Sequence, residues 1–531
     1  MKVALLTICS PDTVNQNLEE IGMCSIAAYL RAHGHTVMIA QKNAADIDYR
    51  AVGDFDPDLI GYTIYETAKQ LAFDSAEIVR NMLPRACLFA GGYYPSTNYK
   101  ELFDETNLFD YVVRGEGEQT VLELCECMMG LRAAEEICGL IFRAGGELIL
   151  NEPRSILQDL DTLPWIARDV LQDNQLKVAM ISTSRGCYGN CSFCSNQIMW
   201  KNWRGRRVGD IADEIEYLFR AHHIVFFNFT DASFEDPDGC CTRMKELMNA
   251  LAERELPIGY IADFRAEISR KIDAGILPLM ECSGLIGACI GVESGNEPDM
   301  QLYKKLATVE DSVKTLKLFQ EKFVTICEFI NINPYSTFEG LKENAMFLRK
   351  TGIASILEKI ATQYGMYKNS ALYQKIKDDG LLRDGDFSKY GYRFINPSIE
   401  TFQTFLSGYL GRLHARYREG YKFMTSYLTR LECFLSFIQR MNPQDEYYMT
   451  ALSRMREWKS RMNTVHMDCY DRLLDLAESG WDVDAAEQIA QQFLSDVYIQ
   501  SCISFVNILT RTVKKHLIRT KNPYIQLIKS I

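Results

Sequence analysis

The sequence predicts an α/β protein in three parts: a parallel sheet with helices on both faces, a partial barrel of strands and helices, and a helical carboxyl-terminal domain. Short apolar runs alternate with amphipathic segments over residues 1–145 and again over 179–397, which is typical of parallel sheets covered by helices. From residue 398 to 531 helix-period segments, such as Phe405–Phe423, dominate and no series of strands appears. A chain of 531 residues is also too long for one ordinary core.

The first region is predicted to contain five short strands with helices between them. The segment Ile21–His33 reads as a helix that Gly34 closes, and Ala68–Leu83 reads as another. Ligands of such sheets bind beyond the carboxyl ends of the strands. The predicted strands are Val3–Ile8, Val37–Ala40, Leu59–Ile64, Cys87–Ala90 and Tyr111–Val113.

Two glycine-bearing stretches follow strands at that edge, Gly91-Gly92-Tyr93 and Gly115-Glu116-Gly117. Glycine there would let the backbone approach a ligand closely, but a tight turn needs glycine as well. The spacing alone favours the turn for either stretch.

The second region follows a connecting segment, residues 146–178, which contains Pro153 and Pro164. Six predicted strands with intervening helices indicate a barrel or partial barrel, of the (β/α)6 kind, over residues 179–397. These strands are Val178–Thr183, Ile224–Phe229, Gly259–Ala262, Gly287–Val292, Thr325–Ile332 and Ile356–Gln363.

The charge balance and the cysteine content suggest a cytoplasmic protein. The formal net charge is −12, which argues against a broad nucleic-acid surface. The apolar amino terminus reads as a buried strand because no small-residue cleavage site follows it, and the sequence suggests no membrane-spanning stretch. In a reducing compartment the 17 cysteines are not expected to form a disulfide framework.

Three cysteines have the spacing of metal ligands: Cys187, Cys191 and Cys194, within the segment Ser184–Cys194. One loop just after a predicted strand can turn three such sulfurs inward, and thiolates are the usual ligands of iron–sulfur clusters. Three ligands would leave one iron of a cubane cluster open. The alternative is a zinc site or a reactive thiol pair, but structural zinc normally takes four ligands and no fourth lies nearby in sequence.

The segment Cys187-x-x-x-Cys191-x-x-Cys194 resembles the signature of the radical S-adenosylmethionine superfamily, with Phe193 at its aromatic position. Three later segments near the ends of predicted strands are also similar to that family: Asp231–Phe234, Phe264–Glu267 and Gly291–Gly295. The resemblance implies a [4Fe–4S] cluster on the three cysteines. It also implies S-adenosylmethionine contacts at Phe193 and at residues of those later segments, namely Asp231, Arg265, Glu293 and Ser294.

The first region resembles the Rossmann-like cobalamin-binding domain that precedes the radical domain in one subgroup of this superfamily. The similarity rests on Asp56–Thr63 and on the two glycine stretches. It implies cobalamin contacts at Thr63, Gly91, Gly92, Tyr93, Gly115, Glu116 and Gly117.

Two features depart from the patterns of these families. The loop Cys9–Glu20 contains no histidine, so we expect no histidine below the cobalt, and His33 and His35 read as solvated or capping groups. The segments Asn331–Thr337 and Lys368–Tyr373 also differ from the usual family sequences, so we expect reshaped substrate-facing loops.

The resemblance implies cobalamin-dependent radical methylation of an unactivated carbon, through a 5′-deoxyadenosyl radical and methylcobalamin. The alternatives are a relative that oxidises, cyclises or rearranges without net methyl transfer, and a non-catalytic cobalamin or redox sensor. A sensor would not require the set of nucleotide-site motifs. The expected partners are a small-molecule or peptide substrate and an electron donor such as flavodoxin or ferredoxin, with neither nucleic acid nor membrane.

Overall fold

The structure is a computed structural model that describes residues 1–9, 18–43, 46–173, 177–200, 202–383, 388–417 and 427–529. The chain divides into two compact units. The first unit comprises Met1–Cys187 and Asn196–Thr230, and the second comprises Tyr188–Ser195 and Asp231–Ile531.

The first unit contains a seven-stranded sheet in the order β2-β1-β3-β4-β5-β6-β7. The first five strands are parallel, and they confirm the five strands predicted for this region. Strands β6 and β7 add an antiparallel hairpin at one edge. The strands are β1 Lys2–Cys9, β2 Thr36–Asn43, β3 Leu59–Thr63, β4 Cys87–Gly91, β5 Tyr111–Val113, β6 Leu140–Ala144 and β7 Glu147–Leu150.

The hairpin lies where the sequence suggested the end of the first domain. Gly145 and Gly146 join its strands with φ angles of 60° and 87°, a left-handed pair that suits a two-residue hairpin turn. The sheet therefore continues to Leu150, past residue 145.

Both faces of this sheet are buried, which explains the nearly continuous apolar run of β1. Val3 and Leu5 lie in the core on one face with residues of the first helix, and Leu6 and Ile8 lie in the core on the other face. The helices of the first unit are α1 Ile21–Ala32, α2 Tyr49–Phe55, α3 Lys69–Met82, α4 Tyr93–Thr97, α5 Tyr99–Glu105, α6 Glu118–Met128, α7 Asp169–Asp173, α8 Asn196–Met199 and α9 Val208–His222.

Two further pairs of strands belong to the first unit. Strands β8 (Val178–Ile181) and β11 (Phe226–Phe229) pair in parallel. Between them in sequence, β9 (Ser184–Arg185) and β10 (Arg204–Gly205) form a short antiparallel ladder. Strand β9 ends two residues before Cys187, and β10 follows the cysteine segment.

The second unit contains three parallel strands, β12 Gly259–Arg265, β13 Leu285–Glu293 and β14 Val324–Phe329, with β13 in the middle. The register of β13 against β14 shifts between Gly291 and Glu293. Glu293 takes a φ of 72° there, which is uncommon for a residue with a side chain and marks an irregular strand end.

The sixth predicted barrel strand is wrong. Residues Ile353–Ser355 and Leu357–Ile360 form 3₁₀ turns, and a single parallel bridge from Ile332 to Gln363 occupies the place of that strand. Apolar residues of this segment, such as Leu357 and Ile360, are buried, and burial alone does not require a strand.

The remaining helices belong to the second unit, and the carboxyl-terminal part is helical, as predicted. Part of the predicted helix Phe405–Phe423 lies outside the described residues. The helices are α10 Thr242–Glu253, α11 Leu277–Cys282, α12 Glu297–Leu302, α13 Val309–Gln320, α14 Phe338–Thr351, α15 Ala371–Asp378, α16 Pro397–Arg416, α17 Leu428–Met441, α18 Glu446–Ser479, α19 Val483–Phe493 and α20 Asp496–Arg519.

One stretch of this helical part, Val483–Arg519, is long and apolar enough to cross a membrane by length and composition alone, although the sequence had suggested none. Ile499, Cys502 and Val506 are buried along one side of it. A helix with a buried apolar side in a helical domain passes the same test, so the stretch is weak evidence for a membrane segment.

Candidate functional site

Two glycines keep an open cradle at the carboxyl edge of the first sheet. Gly92 has a φ of 96°, and a Cβ placed there would lie 3.3 Å from Thr63 Cγ2 and 3.7 Å from the backbone of Ile64. Gly115 has a φ of 84°, and a Cβ there would meet no atom within 4 Å. The Gly115 N–H donates to Ser96 Oγ at 3.2 Å, which ties the two glycine loops together. The left-handed backbone and the open space suit the close approach of a large cofactor.

Three other predicted cobalamin residues line the same edge. Thr63 ends β3, and Gly91 ends β4. Tyr93 is the partly buried first residue of α4, and its carbonyl accepts a hydrogen bond from Thr97 Oγ1 at 2.9 Å. The contacts of these three residues with cobalamin stay a prediction.

Gly117 and Glu116 have internal partners. A Cβ at Gly117 would lie 2.8 Å from Ile26 Cδ1, so this glycine allows α1 to approach. Both carboxylate oxygens of Glu116 are engaged: Oε1 accepts from Arg204 Nη2 at 2.9 Å, and Oε2 accepts from the Leu157 N–H at 2.9 Å. These contacts give both residues a framework role at the cradle.

Tyr65, just after β3, contacts Glu20, the residue that precedes α1. Tyr65 Oη donates to Glu20 Oε1 at 3.1 Å, and Glu20 Oε2 caps α1 by accepting from the Met23 N–H. Burial raises the pKa of Glu20. Residues 10–17 of the histidine-free loop lie outside the described residues.

The two histidines nearest in sequence lie away from this edge. His33 caps the carboxyl end of α1 and its Nδ1 lies 2.8 Å from the Tyr29 carbonyl, and His35 directly precedes β2. They occupy the opposite end of the parallel strands, in agreement with their interpretation as capping groups.

The cysteine loop begins at a glycine that no other residue can replace. Gly186 has a φ of 82°, and a Cβ there would lie 2.1 Å from the Asn202 carbonyl oxygen. Cys187 and Cys191 are buried, whereas Cys194 is partly exposed. Among the described residues, no three His, Cys, Asp or Glu side chains are grouped so that they could hold a metal ion. The three-cysteine ligand set therefore stays a prediction.

Ser192 anchors the second half of the cysteine loop in the second unit. Its N–H donates to the Tyr303 carbonyl at 2.9 Å, its Oγ donates to the Leu302 carbonyl at 2.6 Å, and its carbonyl accepts from the Leu372 N–H at 2.8 Å. Phe193 packs edge-on against Tyr303, with ring centroids 5.4 Å apart. The backbone around Cys191 and Cys194 is thus held at one fixed position.

Arg265 lies directly under the cysteine loop. A Cβ at Gly189 would lie 1.9 Å from Arg265 Nη1, and the guanidinium lies over the Tyr188 ring, 5.0 Å from its centroid. Its Nε also donates to Glu267 Oε1 at 2.5 Å. Arg265, predicted to contact S-adenosylmethionine, therefore also supports the loop.

Glu235 belongs to the same cluster, although it lies outside the motifs of the sequence. It accepts hydrogen bonds from Tyr188 Oη at 2.9 Å and from the Arg265 N–H at 3.1 Å. Burial raises its pKa to about 7. Its place one residue after the segment Asp231–Phe234 was the only sequence signal.

The neighbouring side chains of Glu293 and Ser294, at the end of β13, have different partners. Lys305 Nζ lies 3.8 Å from Glu293 Oε1 and donates to the Gly291 carbonyl at 2.8 Å, and burial raises the pKa of Glu293. Ser294 is fully buried and its Oγ bonds with Asp299 and Asn344. The Ser294 side chain is therefore part of the framework.

Two aspartates lie in the second unit, and the sequence motifs include only Asp231. Asp231, predicted to contact S-adenosylmethionine, is buried just after β11. Asp263 pairs in register with Cys289 across β12 and β13. Burial, together with the Asp231 and Glu328 carboxylates, raises the pKa of Asp263 to about 7.

The unusual segment Asn331–Thr337 turns its amides inward. Asn333 is fully buried and donates from Nδ2 to Asp299 Oδ1 at 2.8 Å and to Tyr303 Oη at 2.9 Å. Since the Tyr303 carbonyl holds Ser192, this departure from the family sequence supports the cysteine loop through one intervening residue.

Comparisons with known proteins show which families and relatives the chain is similar to. The family model for the B12 binding domain matches residues 12–125. The anaerobic magnesium-protoporphyrin IX monomethyl ester cyclase of Rubrivivax gelatinosus is 28% identical over 416 residues, which are 74% of this chain and 72% of that protein. An uncharacterized methyltransferase of Pyrococcus horikoshii is 26% identical over 410 residues, 73% of this chain and 87% of that protein.

The fold is also similar to a solved structure, that of the cobalamin-dependent S-adenosylmethionine radical enzyme OxsB with aqua-cobalamin and S-adenosylmethionine bound. The TM-score is 0.68 at 18% identity, covering 93% of this chain and 84% of that one. At this identity the likeness concerns the fold.

Proposed function

We propose that this chain, which belongs to the radical S-adenosylmethionine enzymes with a cobalamin-binding domain, is a methyltransferase acting on an unactivated carbon of a small-molecule or peptide substrate. The observation that carries the proposal is the open cradle of Gly92 and Gly115, which lies within the matched residues 12–125. A cradle of this kind suits cobalamin, and cobalamin is a methyl carrier.

The bound cofactors would supply the difficult chemistry: S-adenosylmethionine at an iron–sulfur cluster supplies a radical, and cobalamin supplies the methyl group. The protein supplies position and surroundings. Ser192 holds the cysteine loop through three hydrogen bonds, and Arg265 fills the space below Gly189. Glu293 and Lys305 would present a carboxylate and an ammonium group to S-adenosylmethionine.

The proposed reaction requires an electron donor but no nucleic acid. An electron donor such as flavodoxin or ferredoxin would reduce the cluster in the cytoplasm. The acidic balance of the chain, with a formal net charge of −12, supports a reaction without nucleic acid.

The proposal is tested with the reconstituted protein, reductant and S-adenosylmethionine labelled on its methyl group, under anaerobic conditions. We expect label in the cobalamin fraction together with S-adenosylhomocysteine. Gly92→Leu should lose this label and still form 5′-deoxyadenosine, because it changes only the cobalamin cradle. If the wild-type protein forms 5′-deoxyadenosine and no labelled cobalamin, methyl transfer is wrong.

A second candidate function is oxidation, cyclisation or rearrangement with the same cofactors and no net methyl transfer. The 28% identity to an anaerobic cyclase over 416 residues favours it. The same experiment separates the two functions, because a cyclase would leave the methyl label on S-adenosylmethionine or its methionine product.

A further inference from the structure

A buried ion network joins the loop Gly115–Gly117 of the first sheet (the glycine loop) to β9, the strand that leads into the cysteine loop. Arg185 Nη2 donates to Glu118 Oε1 at 2.6 Å, and Arg204 donates to both oxygens of Glu116 at 2.9 and 3.1 Å. Ser25 on α1 donates to Glu118 at 2.6 Å. All of these side chains lie in the first unit.

The network is closed to solvent. The side chains of Arg204, Glu116 and Glu118 are 5%, 8% and 8% exposed, and that of Arg185 is 16% exposed. Two arginines and two glutamates balance in charge, and buried charges require such pairing. Removing the charge of one member would leave its partner uncompensated.

The ladder between β9 and β10 places the two arginines next to each other, so that they need a shared countercharge. Arg185 and Arg204 are direct partners in the antiparallel register, where two like charges repel. Glu116 lies between them, 3.5 Å from Arg185 Nη1 and 2.9 Å from Arg204 Nη2. The glycine loop therefore supplies the countercharge that holds this ladder together.

The ends of the network lie next to both predicted cofactor loops. Glu116 separates Gly115 from Gly117 at the cradle, and Arg185 lies two residues before Cys187 in the chain. Displacement of the glycine loop would pull on Arg185, and disorder at the cysteine loop would loosen Glu116 and Glu118.

We propose that Arg185, Arg204, Glu116 and Glu118 couple the two loops. Cobalamin then binds more tightly when the cluster is in place, and the cluster is held more tightly when cobalamin is bound. The coupling rests on the proposed function, since it requires both cofactors. These are positioning residues: each acts through the loop that it holds. Because coupling is reciprocal, either cofactor can report it.

The test is a titration with hydroxocobalamin of the full-length protein, with and without its reconstituted cluster, followed by absorbance. We expect the cluster to tighten wild-type binding about fivefold or more, the lower range of ordinary coupling. Glu118→Gln, which keeps the shape and removes the charge, should reduce this ratio to below about twofold. A purely structural defect would weaken binding equally in both states and leave the ratio unchanged.

Two further variants secure the result. Asp169→Asn breaks a half-exposed ion pair with Arg31 in the same unit and should keep the wild-type ratio. Arg185→Lys keeps the charge but loses the guanidinium fork that reaches Ser25 and Glu118 together. If Glu118→Gln does not fold, Arg185→Lys serves as the test variant in its place.

An unchanged ratio in the network variants, or a wild-type ratio near one, would overturn the coupling. If cobalamin binds tightly but the cluster does not change its affinity, the coupling is wrong and the proposed methyl transfer is unaffected. Intact coupling without label transfer overturns only the proposed methyl transfer.

Discussion

Single glycines determine the shape of both loops on which the proposed function depends. Gly189 allows Arg265 to lie under the cysteine loop, and Gly92 keeps a left-handed backbone beside Thr63 and Ile64. At Gly189 an added side chain would overlap the Arg265 guanidinium, whereas at Gly92 it would press on Thr63 and require an unfavourable backbone. The two positions therefore give the sharpest tests at the scale of residues.

Gly189→Ala should remove most of the cluster. The new methyl group would overlap Arg265 Nη1, and Arg265 is pinned by Glu267 and Tyr188, so the loop itself must move. Anaerobic reconstitution followed by iron analysis should give fewer than about two irons per chain, against about four for the wild type. Gly209→Ala, at an open position on α9, should keep the wild-type content, and equal iron in both variants would contradict this role of Gly189.

Gly92→Leu should abolish cobalamin retention and leave the cluster intact. A leucine there would have to adopt a backbone, φ 96° and ψ −169°, that is essentially confined to glycine and costs about 1 to 3 kcal/mol, and its side chain would fill the cradle. Retained hydroxocobalamin after desalting should fall from about one equivalent, as expected for one preformed site, to below about a tenth. Gly130→Leu also places a side chain at a positive φ, 75°, in open surroundings, so it tests for backbone strain away from the cradle, and loss of cobalamin in both variants would point to strain alone.

At this scale the sequence predicted the residues that belong to spaced motifs. The cysteines and cradle glycines stand out because their spacing is local. Glu235 and Asp263 were missed because what distinguishes them is burial beside other charges, which only the fold creates. For the same reason the sequence could not show that Ser294 and Asn333 turn inward.

Among the elements, the carboxyl-terminal helices brace the segment that replaces the sixth barrel strand. Asn331 Nδ2 donates to Tyr470 Oη on α18 at 3.1 Å, and His466 Nδ1 on the same helix lies 2.6 Å from the Ala354 carbonyl. The guanidinium of Arg440 on α17 donates to the carbonyls of Glu281 and Leu285. These helices thus support β13 and the 3₁₀ turns.

The brace should be acid-sensitive through His466. Burial lowers its pKa to about 4, whereas an unfolded histidine binds a proton below about pH 6.5. Unfolding therefore takes up a proton between these values, and about 3 kcal/mol of unfolding free energy should be lost as the pH falls from about 6.5 to 4.

Urea denaturation at a series of pH values, followed by circular dichroism, checks this loss. His466→Gln should be less stable at neutral pH and should lack this part of the acid dependence. His414→Gln, on the exposed side of α16, serves as the control. Parallel pH profiles for His466→Gln and the wild type would show that His466 does not carry the effect.

Elements were predictable wherever hydrophobic period and turn residues agreed. The helix Ile21–His33 and the strand Tyr111–Val113 are examples, within one residue at each end. The segment Ile356–Gln363 failed because α18 buries it from one side, and apolar content alone does not distinguish a buried strand from a buried turn. The hairpin of β6 and β7 was missed because its strands are short and follow a change of sheet direction.

At the scale of the whole molecule, one chain is proposed to carry two cofactor loops that meet different demands. The cobalamin cradle requires open space at a sheet edge, and the cysteine loop requires a fixed backbone. The order of the motifs along the sequence allowed the fold class and the class of enzyme to be predicted. The reaction itself depends on side chains from separate strand ends, and the sequence does not show how these combine.

The most direct test of two separate cofactor loops is the cofactor content of one purified, reconstituted chain and of its Cys187→Ala, Cys191→Ala, Cys194→Ala triple variant. We predict about four irons and one cobalamin for the wild type. The triple variant should hold cobalamin but no cluster, and it should not cleave S-adenosylmethionine. A triple variant that still holds four irons, or a wild-type chain that retains no cobalamin, would contradict the account.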